Sequence, residues 1–275
     1  MSQWLLEFED IYYTYPGTTQ PAIDLLTLRI RRGKRCAVIG QNGCGKTTLF
    51  LLANGLYKPQ QGSIRYAEKR LKYNRKSLID LRQQVGLVFQ NPEQQLIAST
   101  VEEDISYGLC NLGLSETAIA KRVPEIIAQF GLTSLATKPV HQLSLGQKKR
   151  VSLAGVMVLQ PTLLLLDEPT AYLDPLHTRS LAQTLDTIHG EGTTILIATH
   201  DLEWVYRWAD WVFVMNRGKL VLEGTPKAVF AQQKLLEDLK LGVPLGFQIS
   251  SLLDEVNQST TIEQLKTKIS QILDH

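Results

Sequence analysis

The run Gly40-Gln41-Asn42-Gly43-Cys44-Gly45-Lys46-Thr47 constrains this chain more than any other feature. It has the form G-x-x-x-x-G-K-[ST], follows the short apolar run Cys36–Ile39, and opens a segment of helical composition, Lys46–Leu56. Strand, glycine-rich turn and helix in that order are the context this motif needs. The glycines let the backbone wrap an anion with its N–H groups inward, and the helix N-terminus adds positive dipole at the same point. A chance match in a chain of 275 residues is about a one-in-a-hundred event. The turn therefore reads as a phosphate site of a bound nucleotide. Gly40, Gln41, Asn42, Gly43, Cys44, Gly45 and Thr48 form the wrap. Lys46 is expected to reach the β- and γ-phosphates, and the Thr47 hydroxyl to ligate Mg²⁺. Cys44 occupies a free position of the motif, where a small residue fits and where a thiol is open to alkylation.

A second site element lies at Leu163-Leu164-Leu165-Leu166-Asp167-Glu168, an apolar strand delivering two acids at its C-terminal end. Parallel α/β sheets bind ligands at that end. Successive strand side chains point to opposite faces, so the two acids need not share a task. Asp167 reads as the Mg²⁺ carboxylate, and Glu168 as the group that polarises the attacking water. His200 follows the run Thr194–Ala198, and Gln90 follows Val85–Phe89. A strand at 194–198 beside the phosphate-loop strand would bring His200 to the γ-phosphate. Gln90 carries weight only as a member of the set.

Strand-like runs alternating with helical ones predict an α/β fold with a mostly parallel central sheet. A helical insertion is expected at about 92–160, with a helix at Leu176–His189 and a hairpin from Trp211–Met215 and Lys219–Glu223. Beyond Gly224 the composition shifts. Ile249, Leu252, Leu253 and Val256, then Ile262, Leu265, Ile269 and Leu273, mark two amphipathic helices. Their apolar stripes predict packing on their own domain or a contact holding two subunits together.

A net charge of +2 gives no basic excess for nucleic acid. Three scattered cysteines exclude a disulfide framework. The most apolar stretch, Val156–Leu166, is too short to span a bilayer. No direct membrane insertion is expected, so a membrane role would come through a partner.

Together these residues resemble a family. Leu143-Ser144-Leu145-Gly146-Gln147 is similar to the LSGGQ signature of ABC-type ATPases, and lies about twenty residues before Asp167-Glu168. Glu168-Pro169-Thr170-Ala171-Tyr172-Leu173-Asp174-Pro175 resembles that family's Walker B to D-loop run. Gln90 matches its Q-loop, His200 its switch histidine, and Tyr15 the aromatic that stacks on adenine. Two positions depart from the pattern: Leu145 stands where the signature has Gly, and Tyr172 where the D-loop has a small residue. Val88–Leu96 with Thr100–Asp104 is further similar to ATPases of energy-coupling-factor transporters, including those for cobalt and nickel.

The resemblance implies an ATP-binding domain at 1–225 with its helical subdomain at about 92–160, and a helical extension at 226–275. It implies ATP and Mg²⁺ as ligands, with Lys46, Gln90, Glu168 and His200 in catalysis and Thr47, Gln90 and Asp167 on the metal. Ser144 and Gly146 would face the γ-phosphate bound to a second ATPase subunit, and Gln147 and Asp174 are implied as further nucleotide-binding positions. Further implied partners are a membrane coupling protein and a substrate-binding membrane protein, with the chain peripheral on the cytoplasmic face. The rival cargo is a vitamin such as biotin. Rival activities are a soluble ABC-type ATPase outside transport, a small-molecule kinase, and a nucleotide-binding module that does not turn over.

Overall fold

The computed structural model describes residues 3–256. The first half runs β1 (Trp4–Tyr13), β2 (Ile23–Arg31), β3 (Arg35–Ile39), α1 (Lys46–Ala53), β4 (Gln61–Tyr66), β5 (Lys69–Arg70), α2 (Arg75–Gln84), β6 (Val85–Val88), α3 (Val101–Asn111) and α4 (Glu116–Gln129). The second runs α5 (Leu145–Met157), β7 (Leu163–Asp167), α6 (Pro175–Gly190), β8 (Thr194–Ala198), α7 (Leu202–Trp208), β9 (Trp211–Asn216), β10 (Lys219–Gly224), α8 (Pro226–Phe230), α9 (Gln233–Asp238) and α10 (Leu245–Val256).

The strand runs 85–88, 163–167 and 194–198 are buried at every residue, as strands covered on both faces must be. They join a sheet of order β10-β9-β3-β8-β7-β6, parallel except for the antiparallel edge strand β10. Strand alternation divides their side chains between two cores. Ala37, Ile39, Leu164, Leu166, Ile195 and Ile197 face the helices α3–α8. Cys36, Val38, Leu163, Leu165, Leu196 and Ala198 face α1 and a second sheet. Because β3 pairs with β8 (Val38 with Ala198) and β8 with β7 (Ala198 with Asp167), their C-terminal ends finish level at one edge.

The second sheet, β2-β1-β4-β5, is antiparallel. In sequence, this region shows a mixed apolar and acidic run at Leu5–Ile11 followed by a Tyr-rich turn. In β2, Leu26, Leu28 and Ile30 are buried while Thr27, Arg29 and Arg31 are exposed, the period of a half-covered strand. The period is broken where Asp10 and Leu25 adopt left-handed backbone and the register shifts. Thr27 fastens that bulge, accepting from Asp10 N at 3.0 Å and donating to Asp10 Oδ1 at 2.9 Å. Helix α2 was also unread. Its sequence is strongly polar and buries only Leu81, and its start is set by Asn74, which accepts from Ser77 N.

The helix expected over 46–56 stops at Ala53, where Asn54 and the left-handed Gly55 end it. The helical insertion is three helices with defined starts. Thr100 and Glu103 form a capping box on α3, Ser115 caps α4, and Ser144 and Gln147 form a second capping box on α5. Towards the C-terminus, Tyr206 of α7 meets Phe230 and Phe247 edge-on, so α8 and α10 pack on α7. Glu203 accepts hydrogen bonds from the N–H groups of Leu245 and Gly246. Ile249 and Leu253 of α10 are exposed. The second tail helix, expected over Ile262–Leu273, lies outside the described residues.

Candidate active site

At the level edge of the parallel strands lies an open cleft of about 1420 Å³. Its lining includes Tyr15, Gly40, Gln41, Asn42, Gly43, Gly45, Lys46, Thr47, Thr48, Gln90, Asp167, Glu168 and His200. These residues come from five segments of the chain. Strand order brings them together: β3, β8, β7 and β6 are successive neighbours, and each is followed at its C-terminal end by one of these groups.

The turn after β3 is built closely. A side chain at Gly45 would meet Ala22's carbonyl oxygen at 2.5 Å, and φ there is +109°. Glycine alone satisfies both conditions. Lys46 is buried, and its Nζ donates to Gly40 O at 2.7 Å and Gln41 O at 3.2 Å. The ammonium thus sits inside the wrap at the mouth of α1. Cys44 does not line the cleft. It is buried in the core with its thiol pushed up by burial, which disfavours the thiolate that alkylation requires.

Thr47 Oγ1 donates to Asp167 Oδ2 at 2.6 Å. Burial raises the Asp167 carboxyl above its ordinary value, and the Thr47 hydroxyl opposes that rise. The hydroxyl, the carboxylate and the Gln90 carboxamide in the same cleft are hard oxygen donors, the set that suits Mg²⁺.

Asp167 and Glu168 line the same cleft, although strand alternation alone would separate them. Strand β7 ends at Asp167, and Glu168 has φ +45°. A non-glycine residue in that region costs about 1–3 kcal/mol and persists only where its surroundings hold it. Here Glu168 N donates to Ala198 O at 2.8 Å, and Glu168 O accepts from Ala171 N at 3.1 Å. Glu168 Oε2 is buried, 2.8 Å from Nδ1 of the largely exposed His200, without a donor aligned on it.

Tyr15 bonds Thr48 through its hydroxyl at 2.9 Å, and its ring meets Tyr13 and Tyr57 edge-on. Tyr13 and Tyr57 stack on each other. The three rings form an aromatic cluster beside the turn.

Ser144, Gly146, Gln147 and Asp174 do not line this cleft. Ser144 Oγ accepts from Gln147 N at 3.3 Å, and Gln147 Oε1 from Ser144 N at 3.0 Å. Asp174 caps α6 and lies 2.7 Å from His177 Nδ1. Leu145 is half-buried to exposed, and Tyr172 is strongly exposed with φ +63°. The cleft also has a rim from Lys240, Leu241 and Gly242, between α9 and α10. No sequence pattern marked that segment.

The segment after Gln90 is tied to α5. Gln95 accepts from Phe89 N and donates to Ser152 O, each at 3.2 Å, and Lys148 meets Glu93 at 2.7 Å. Direct bonds thus join α5 to Phe89, the residue before Gln90.

A family model described as ABC transporter matches residues 23–171. A putative ABC transporter ATP-binding protein of Nostoc sp. is 59% identical over 98% of this chain and 99% of its own length. The energy-coupling factor transporter ATP-binding protein EcfA of Methanocaldococcus jannaschii is 40% identical over 94% and 91% respectively. The solved structure of cbiO1 from Clostridium perfringens, described as part of the ABC transporter complex cbiONQ, is 41% identical. It covers 91% of this chain and is itself covered in full, with a TM-score of 0.77.

Proposed function

The chain belongs to the ABC transporter family and is the ATPase subunit of an energy-coupling-factor-type transporter, and from that premise we propose how its residues divide the work and what is carried. The observation that carries the reading is the convergence of the phosphate turn, Asp167, Glu168, Gln90 and His200 on one cleft.

Tyr15 offers a ring face to adenine. The N–H groups of the turn and Lys46 hold the β- and γ-phosphates. Thr47, Gln90 and Asp167 would hold Mg²⁺, which would supply positive charge to the phosphate oxygens. Glu168 accepts a proton from water as the water oxygen bonds to the γ-phosphorus. The bond from that phosphorus to the bridging oxygen breaks, and ADP carries away its electron pair. His200 hydrogen-bonds the γ-phosphoryl oxygens.

Ser144, Gly146, Gln147 and Asp174 lie outside the cleft of their own chain, which supports their use on the ATP of a second ATPase subunit. Two ATPs then bind the closed dimer better than the open one, and hydrolysis reverses the preference. The exposed Ile249 and Leu253 support a subunit contact through α10. The ties from Gln95 and Lys148 to α5 and to the segment after Gln90 support docking of a membrane coupling protein on Asn91–Leu96. The complex includes a substrate-binding membrane protein, and this chain is peripheral on the cytoplasmic face.

The cargo is cobalt or nickel, on the similarity of Val88–Leu96 and Thr100–Asp104 to the ATPases of those transporters. A vitamin such as biotin is the alternative. The test is uptake of radiolabelled cobalt, nickel and biotin by cells expressing the transporter with this chain or with Lys46→Ala. Uptake of cobalt or nickel that Lys46→Ala abolishes supports the reading. Lys46-dependent uptake of biotin alone replaces the cargo. Uptake indifferent to Lys46→Ala sinks the phosphate-site assignment.

A further inference from the structure

Lys149 takes no part in the scheme above, yet it is 9% exposed and lies in the second turn of α5. Its ammonium is met by main-chain carbonyls: Ala171 O at 2.6 Å, Pro169 O at 2.9 Å and Glu168 O at 3.5 Å. An ammonium has three N–H donors and no acceptor, so three convergent carbonyls match its capacity. They all belong to the turn in which Glu168 and Tyr172 hold left-handed backbone. A strained turn needs bonds that over-determine it. One such bond comes from β8 through Ala198 O, and another from within the turn through Ala171 N. Lys149 adds the bonds from the helical side. Without it the three carbonyls would face one another across a buried space.

The same helix begins at Ser144 and Gly146, so one rigid element carries both the residues addressed to the partner's nucleotide and the cation that gathers the Glu168 turn. We propose that Lys149 is a positioning residue for ATP hydrolysis, fixing the backbone that aims Glu168 and joining that backbone to the signature helix. The inference rests on Glu168 being the base. It adds a route by which a shift of α5, on closure of the dimer, reaches the carboxylate of its own chain.

The test is a double-mutant cycle in the purified transporter complex, with Lys149→Met, Glu168→Gln and both together, and with Lys149→Gln as a graded variant. Steady-state kcat and KM for ATP are measured for each, with single-turnover hydrolysis beside them. Met keeps most of the unbranched apolar stem but has no donor, whereas Gln keeps two N–H donors. A base displaced by about an ångström costs up to roughly 100-fold in rate. Lys149→Met is therefore expected to lose roughly 10- to 100-fold in kcat while KM for ATP stays within about threefold. Lys149→Gln should lose less. In the Glu168→Gln background, Lys149→Met should cost almost nothing more, because residues that act as a unit are not additive.

An unchanged kcat in Lys149→Met overturns the proposal. So does an equal fold-loss with and without Glu168, which would place the effect on another route. If neither Lys149→Met nor Lys149→Gln folds by circular dichroism, Lys149 holds the core rather than the turn, and the positioning role fails. Failure of the base assignment shows separately, as a native rate in Glu168→Gln alone.

Discussion

Thr47 Oγ1 bonds Asp167 Oδ2 at 2.6 Å across 120 positions of sequence, joining the start of α1 to the end of β7. The bond places a hydroxyl of the phosphate turn and a buried carboxylate on one point. Asp167→Asn keeps an acceptor oxygen for Thr47 and removes the charge. Nucleotide affinity without Mg²⁺ should be unchanged or slightly higher, whereas the tightening that Mg²⁺ gives should fall at least tenfold. Titration of a fluorescent ATP analogue with and without Mg²⁺ or a chelator reads this. Equal Mg²⁺ dependence in the two proteins would remove Asp167 from the metal.

Glu168→Gln keeps size and hydrogen bonding but loses the proton acceptor. Loss of a base typically costs 10²–10⁴-fold in rate, with ATP binding retained. One negative charge is also removed near the γ-phosphate, so an ATP-bound dimer should accumulate, visible by size-exclusion chromatography with light scattering. Adding Ser144→Arg should disperse it. Arginine there also removes the cap of α5, worth about 1 kcal/mol, so circular dichroism is needed to confirm that the helix persists. A dimer indifferent to Ser144→Arg would take Ser144 out of the shared site.

Burial lowers Lys149 to about 8 from the ordinary 10.5, with the Glu168 carboxylate pulling the other way. Between those two pH values the unfolded chain binds more protons than the folded one, so stability rises with pH. The contribution is complete above the unfolded value and is lost as pH falls through about 8. Urea midpoints of the native chain should therefore gain on those of Lys149→Met from pH 8 towards pH 10. A difference that stays flat across that range would contradict the shift.

Asn54 follows α1, is buried, and donates through Nδ2 to Val85 O at 2.6 Å. It supplies the first residue of β6 with a partner that the sheet does not provide on that side. Asn54→Ala leaves that carbonyl without its donor and should destabilise the chain by about 1–3 kcal/mol, as a lower urea midpoint. Activity per folded molecule should hardly change, since Asn54 does not line the cleft.

What the sequence by itself determined is local or uniform. The glycine-rich turn was legible because its glycines, lysine and threonine stand within eight consecutive residues. The central strands were legible because a strand covered on both faces is apolar along its length, as 163–166 and 195–198 are. Their order was foreseen at one point, with 194–198 beside the phosphate-loop strand, and the two pair in parallel. The second sheet was lost where the bulge at Asp10 and Leu25 breaks the alternation, and α2 where a helix covers the fold with a single buried leucine. Tertiary structure alone decided that Gln95 links the segment after Gln90 to α5, that Lys240–Gly242 reaches the cleft rim, and that Lys149 gathers carbonyls about twenty positions away. Each of these is a contact between main chain or polar side chains distant in sequence, and such contacts leave no period or composition to read. Only the packing of α5 against the turn after β7 makes a second lysine in a run of two into a buried cation.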